Sequence, residues 1–526
     1  MAKKKRNTKK SSDEAASVEE METNGDLPAE EDVNPDDGEG ADLSMCDASF
    51  RAEDAVPTSG HDVVSRCTQS RELFLAAIAA HQDRSQEFDF EESLGTLTPE
   101  EFSALWTSLN QYLASGDNEE ERLETLIGVV LVTKISVTLE TLTPESCPSG
   151  LQSAMFNLHN RLPQIKDHKI SNNICQSLET WYSRSLPEKD ALIINVVIFL
   201  LKKSLGGQGA KADVKRLWNV HQTLLEHRTA ESDQLNKLLI ATAGSNLFLT
   251  TPEGIRWLVF LYSLSPDLVS SLHKQSRASL ATISKGGCQG LGEVYHKAWL
   301  ASGGEFRTLL ELDCIQDLMY RGVLASRERG GVSGHVSRVL SYFRQQERSQ
   351  PTLNLLARLY EPILWRNLKV ANHDVRLNAC ELFLSNYPIE DFDQTREERD
   401  NNLEMQHSFM LNLIRDEHPK VRCEAIRGVC QVLATFWLLI PSETINQIIN
   451  IMIKELVWDS SNPRVRMTTI RGVATLLRSP HSHVYMKAVL PRLSDCLHDS
   501  NENVRGAVID LLQAVKGKFY VKFMIF

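Results

Sequence analysis

The chain contains no Cys-x-x-Cys pair, although it carries ten cysteines in 526 residues. That absence excludes a disulfide framework or a zinc ribbon built on paired thiols. Cys380, Cys423 and Cys430 fall on or beside apolar helical faces and read as buried thiols of a reducing compartment. Long apolar runs are also missing. The longest, 126–133 and 191–201, fall short of the roughly 20 residues that span a bilayer. The N-terminus is lysine-rich and then acidic, so it lacks the apolar core of a secretory signal. No Gly-x-x-x-x-Gly-Lys-Ser/Thr phosphate loop occurs, since Gly206, Gly207 and Gly209 lack both the spacing and the hydroxyl. The glycines at 286–292 do not match Gly-x-Gly-x-x-Gly and follow no predicted strand. No His-Glu-x-x-His exists, and His481 and His483 flank a loop without partner ligands. No spaced carboxylate or histidine pair demands acid/base work. The expectation is a protein that is not an enzyme, with no cofactor, metal, membrane span or small-molecule substrate.

The charge that is present is unevenly placed. The formal net charge is −12. Residues 1–12 carry +6 and residues 13–54 carry −15, which leaves the rest near neutral at −3. A segment so polar cannot bury enough apolar surface to offset its conformational entropy, so 1–65 is predicted to be a disordered basic-then-acidic tail. Lys3, Lys4, Lys5 and Arg6 suit a nuclear localisation signal, against the simpler reading of a solvated lysine-rich terminus.

What the chain has in abundance is helical periodicity. A Val-Arg pair recurs at Val375-Arg376, Val421-Arg422, Val465-Arg466 and Val504-Arg505, with spacings of about 46, 44 and 39 residues. Apolar residues follow five and eight places on: Cys380 and Phe383, Ile426 and Val429, Ile470 and Val473, Ile509 and Leu512. Those offsets share one helix face. Asp416, Asp459 and Asp499 stand just upstream in three cases. A period of about 40–47 residues built from helix pairs predicts an all-α HEAT-repeat α-solenoid.

Helix pairs are predicted at 351–369 and 374–386, 397–415 and 419–438, 442–458 and 463–478, and 484–497 and 503–515. Pro491 should kink the first helix of the last pair. Degenerate repeats are expected over 66–350 and regular ones over 351–516. In the degenerate part, Thr98-Pro99-Glu100-Glu101 reads as a capping box, and Thr251-Pro252 opens a helix in the same way. Residues 187–203 run from a Pro start to Lys202-Lys203 before Gly206-Gly207. The end, 517–526, is atypical: apolar and too short for a helix pair, it predicts a shortened product, fragment or alternative transcript.

Two sets of basic residues invite a phosphate-binding reading. Arg376, Arg422, Arg466 and Arg505 sit at one phase, where each can reach an upstream Asp or a neighbouring helix end, so a structural ladder is expected. Lys202, Lys203, Lys215, Arg216, Arg338, Arg344, Arg348, Arg366 and Lys369 lie near helix ends outside that phase. On one concave face they would hold DNA backbone without reading sequence. The plainer reading is favourable charge at helix C-termini.

Several strings go beyond HEAT patterning. They include 213–222 (DVKRLWNVHQ), 312–322 (LDCIQDLMYRG), 359–369 (LYEPILWRNLK) and 497–505 (LHDSNENVR). Over roughly 70–516 they resemble the HEAT-repeat G subunits of the condensin II complex. The resemblance implies a non-catalytic scaffold subunit that binds the kleisin and double-stranded DNA. It also implies association with the SMC ATPase pair through the kleisin, and with a second HEAT subunit. The place implied is the nucleus and mitotic chromosomes, in chromosome condensation and segregation. A HEAT adaptor for peptides or cargo proteins, in transport or assembly, is the alternative. Salt-sensitive DNA binding separates the two.

Overall fold

A computed structural model describes residues 60–82, 90–115, 119–207, 209–227, 233–327, 332–346 and 349–518. The basic block Lys3–Arg6, most of the expected tail and most of the atypical C-terminal end lie outside the described residues. The expected tail boundary at 65 falls inside the first helix, Gly60–Gln69. All regular elements among the described residues are helical, and they form the expected HEAT-type solenoid. One continuous apolar core runs from Cys67 to Leu511 between the helix layers.

In the first part, local signals start and stop the helices. Thr98 Oγ1 accepts the Glu101 N–H at 3.3 Å, and Glu101 Oε2 accepts the Thr98 N–H at 2.9 Å. This complete capping box opens Pro99–Ala114, which buries Leu105, Trp106, Leu109 and Leu113. Helix Lys189–Leu205 closes on Gly206, and Gly207 follows at φ +82°, a conformation that glycine adopts at little cost. Helix Glu119–Thr138 is finished from outside. The Arg184 guanidinium donates to the carbonyls of Val137, Leu139 and Leu142 at 2.6, 2.7 and 2.8 Å. Val137 is in the last turn, where a helix leaves its carbonyls unpaired, and Leu139 and Leu142 follow in the connecting turn.

Close approach sets the packing further on. A Cβ at Gly290, on helix Lys285–Ala301, would lie 1.7 Å from the Leu249 carbonyl oxygen, so only glycine fits. After Ala301 comes a feature the sequence reading did not anticipate, a π-helical turn over Leu310–Gln316. The turn and Asp317, the first residue after it, aim three polar side chains in different directions. Glu311 accepts from Trp299 Nε1 at 2.8 Å and pairs with Arg358 at 2.9 Å. Gln316 donates to the Leu359 carbonyl at 3.2 Å, and Asp317 meets His273 at 3.2 Å. The turn thereby ties the helices on either side of the join between the irregular and regular parts.

Four helix pairs follow, here numbered I to IV. Repeat I is Gln350–Asn367 with His373–Ser385, and repeat II is Arg396–Leu413 with Pro419–Phe436. Repeat III is Ser442–Lys454 with Pro463–Leu476, its first helix followed by a 3-10 turn at Leu456–Trp458. In repeat IV the first helix is His483–Val489, and Glu502–Lys518 is the second. Pro491 does more than kink that first helix: from Leu490 to His498 the chain is 3-10. Proline has no N–H to donate, and its ring crowds the carbonyl four residues back.

The four second helices stack side by side as one row. Val421, Val465 and Val504 are fully buried, and Val375 is half-buried. The +5 and +8 positions are buried in repeats I to III. In repeat IV, Ile509 is 51% exposed, and Val508 and Leu511 fill the core instead. Gly428 lets the row close up, since a Cβ there would stand 2.7 Å from Leu384 Cβ on the neighbouring second helix.

Candidate nucleic-acid interface

The fixed-phase arginines form a ladder whose direction differs from the expected one. Three of the four guanidinium groups, those of Arg376, Arg422 and Arg466, reach forward to the aspartate of the next repeat. Arg376 donates from Nε and Nη2 to Asp416 at 2.7 and 2.8 Å. Arg466 does the same to Asp499 at 2.7 and 2.9 Å, and Arg422 Nη2 lies 2.9 Å from Asp459. The aspartate upstream in the same repeat supplies only its backbone. Arg422 Nη1 donates to the Asp416 carbonyl at 2.7 Å, Arg466 to that of Asp459 at 2.8 Å, and Arg505 to that of Asp499 at 2.8 Å.

The aspartates are held from the other side by turn amides. Asp416 accepts from the His418 N–H at 2.8 Å, Asp459 from Ser461 and Asn462 at 2.8 and 3.0 Å, and Asp499 from Asn501 at 2.8 Å. Arg466 beside Asp499 holds that carboxyl below its ordinary 3.8. Burial works to raise Asp416 and Asp459, but Arg376 and the His418 amide lower the first below 3.8. Ser461, Arg422 and the turn amides do the same for the second. All three rungs are shielded, with side-chain exposures of 9–14%. A fork committed to a carboxylate on one side and carbonyls on the other has little left for a phosphate.

Of the residues proposed from sequence for a DNA groove, Lys203 and Arg216 are committed to carboxylates within the fold. Lys203 Nζ pairs with Asp213 at 3.0 Å. Arg216 Nε donates to both oxygens of Glu179 at 3.0 and 2.9 Å, and its Nη1 donates to Asn172 at 2.7 Å. Both cations therefore serve as internal clamps around Asp213, while their neighbours Lys202 and Lys215 stay exposed. Arg338 is half-buried. Arg344 donates to the Ser385 carbonyl at 3.3 Å, at the C-terminal end of the repeat I second helix. Arg366 and Lys369 are exposed at the opposite end of that helix, where Lys369 stands 5.1 Å over the Phe409 ring. Arg348 lies outside the described residues.

Among the described residues no group of three or more His, Cys, Asp or Glu could hold a metal, and no helix is long and apolar enough to cross a membrane. Burial pushes the Cys67 and Cys430 thiols up to about 12, which disfavours the reactive thiolate at both. One chain of groups has the order of an acid–base relay: Tyr295 Oη to His273 Nδ1 at 2.7 Å, then His273 Nε2 to Asp317 at 3.2 Å. Tyr295 is fully buried, however, so no substrate reaches its hydroxyl. A cavity of about 390 Å³ lies between Trp218, Phe260 and Phe306, with Arg256 and Lys297 among its lining residues. Its lining includes no carboxylate and no histidine.

Comparison with known proteins bears on most of the chain. Residues 241–391 match the family model described as condensin II non structural maintenance of chromosomes subunit. Condensin-2 complex subunit G2 of Mus musculus is 32% identical over 479 residues, 86% of this chain. The Homo sapiens protein of the same description is 29% identical over 490 residues. The chain spans 42% of the length of these curated relatives. Among solved structures, one of Kap95p with RanGDP aligns with 89% of this chain and 62% of that chain, at 11% identity and TM-score 0.42. A Pds5–Scc1 complex aligns with 78% of this chain and 62% of that chain, at 14% identity and TM-score 0.29. The resemblance carried by the four strings holds over 86% of the chain.

Proposed function

We propose that this chain, a relative of the condensin II G2 subunits, is a non-catalytic scaffold that binds kleisin and double-stranded DNA. Through the kleisin it joins the SMC ATPase pair and a second HEAT subunit on mitotic chromosomes in the nucleus. The observation that carries this reading is the match to G2 subunits along nearly all of the described solenoid. The physical setting supports it. Repeats stacked through internal Arg–Asp rungs keep a fixed spacing and leave their outer faces free for partners.

The decisive experiment is capture of the full chain from mitotic extract, with mass spectrometry of what accompanies it. Recovery of a kleisin, an SMC pair and another HEAT subunit is expected. A folded, helical protein that recovers none of them would sink the assignment. DNA binding is measured separately, by anisotropy of a labelled duplex over a salt series. Binding that is independent of sequence and falls steeply with salt is expected. Peptide capture with no duplex binding would favour a cargo adaptor.

A further inference from the structure

The second helix of repeat III, Pro463–Leu476, has no carboxylate. Along one face it repeats a strict heptad: Arg464, Thr468, Arg471, Thr475, then Arg478 in the closing turn. These intervals of four and three keep all five side chains on one side. Arg464, Arg471 and Arg478 are exposed, and their guanidinium groups make no hydrogen bond or ion pair among the described residues. That separates them from Arg376, Arg415, Arg422, Arg427 and Arg466, which all have carboxylate partners. On the adjacent second helix, Lys420 is likewise exposed. The Glu424 carboxylate nearby is engaged by Arg427.

We infer that Arg464, Arg471 and Arg478 form a track for the phosphate backbone of double-stranded DNA. The inference rests on the DNA-binding reading above and gives it a place that the residues nominated from sequence did not include. Three arguments converge on it. Heptad spacing puts successive arginines at a regular pitch of about 10.5 Å along the helix. The track is rigid, because the rungs from Arg422 to Asp459 and from Arg466 to Asp499 fix both of its flanks. A fixed pitch suits a regular polyanion better than a flexible acidic peptide. Arg464 also sits in the first turn of its helix, where the macrodipole disfavours a cation, so its placement brings no stability to the helix itself.

The test uses the full chain and a labelled 40-base-pair duplex of random sequence, titrated between 50 and 200 mM salt. The triple variant R464Q/R471Q/R478Q is expected to bind at least about tenfold more weakly at 100 mM salt. Its log–log salt slope should be shallower by about 2.7, which is three contacts at about 0.9 each. The triple R464K/R471K/R478K variant should keep most of the affinity, and K202Q/K215Q should keep its slope. Helix content and melting temperature should be unchanged, since all three arginines are exposed. If wild type binds and the triple-Gln variant matches it in affinity and slope, the track is wrong while the DNA-binding reading stands. Loss of kleisin capture with duplex binding intact would also overturn it, by assigning the face to a protein. If wild type binds no duplex at all, the broader reading falls and the track with it.

Discussion

Up to Arg344 the helices are held in register by singular contacts, and from Gln350 onward by a repeated one. In the first region an arginine finishes a neighbour's helix, a glycine admits a carbonyl, and a histidine bridges a tyrosine to an aspartate. None of these recurs at a fixed interval. In the second region the same Arg–Asp rung appears three times, from Arg376, Arg422 and Arg466. Both solutions satisfy the polar groups at helix ends, yet they differ in how damage spreads. A unique contact has no copy to share the load, whereas every rung has at least one neighbour of its own kind, and the middle rung has two.

That contrast can be tested by substitution. The largest effect is expected from Gly290→Ala, whose methyl would stand 1.7 Å from the Leu249 carbonyl oxygen. The loss should exceed about 3 kcal/mol, above the usual cost of overpacking, as read by chemical denaturation. A wild-type-like midpoint would show that the first region yields more readily than its contacts imply. Next comes Asp459→Ala, which strands the shielded Arg422 fork against Ser461 and two carbonyls. About 1.5–3 kcal/mol should be lost, with faster amide exchange confined to repeats II and III. Exchange rising equally in repeat I would mean the ladder fails as a unit. Thr98→Ala and Thr395→Ala serve as a matched pair, because both residues make complete capping boxes. Each should cost about 1 kcal/mol, so the two regions ought not to differ here.

The smallest effect is a dependence on pH. Burial pushes His273 below its ordinary 6.5, with Arg277 and Arg321 adding to the shift and Asp317 opposing it. The unfolded chain therefore takes up a proton near pH 6.5 that the folded chain resists. The His273 contribution is present above 6.5 and is lost as pH falls below it. The rung aspartates behave otherwise. Their pKa values lie below 3.8, so their contribution persists until pH drops under that value. Between pH 7.5 and 5.5, corrected exchange should rise over 266–324 and stay level over 463–476. His273→Gln should flatten the first response.

The regular region was legible because its spacing is a property of one dimension. Four Val-Arg pairs predict stacked helix pairs before any contact is known, and all eight helices sit close to where the pattern puts them. The pairing direction was not legible, since Asp416 is six residues from Arg422 in sequence but gives its carboxylate to Arg376. Lys203 and Arg216 looked like surface charge for a similar reason. The fold-back at Gly206-Gly207 that brings Asp213 to Lys203 is a three-dimensional event. The π turn was hidden because Cys314, Ile315, Leu318 and Met319 keep an ordinary helical rhythm through it. The Arg464 heptad was visible in principle. The recurring valine marks the buried phase of each second helix and carries no signal from its outer face.

The rungs all lie where a first helix turns into its second, so they run along a single edge of repeats I to IV. Pro388, Pro441 and Pro480 lie in the inter-repeat connections at the other edge, which also exposes Leu438 and Val484. Such a structure behaves like a bound book. The rungs act as its spine and fix the distance between leaves, so the row can fan open but resists stretching. A partner lying across the leaves would change the fan angle and leave the binding intact.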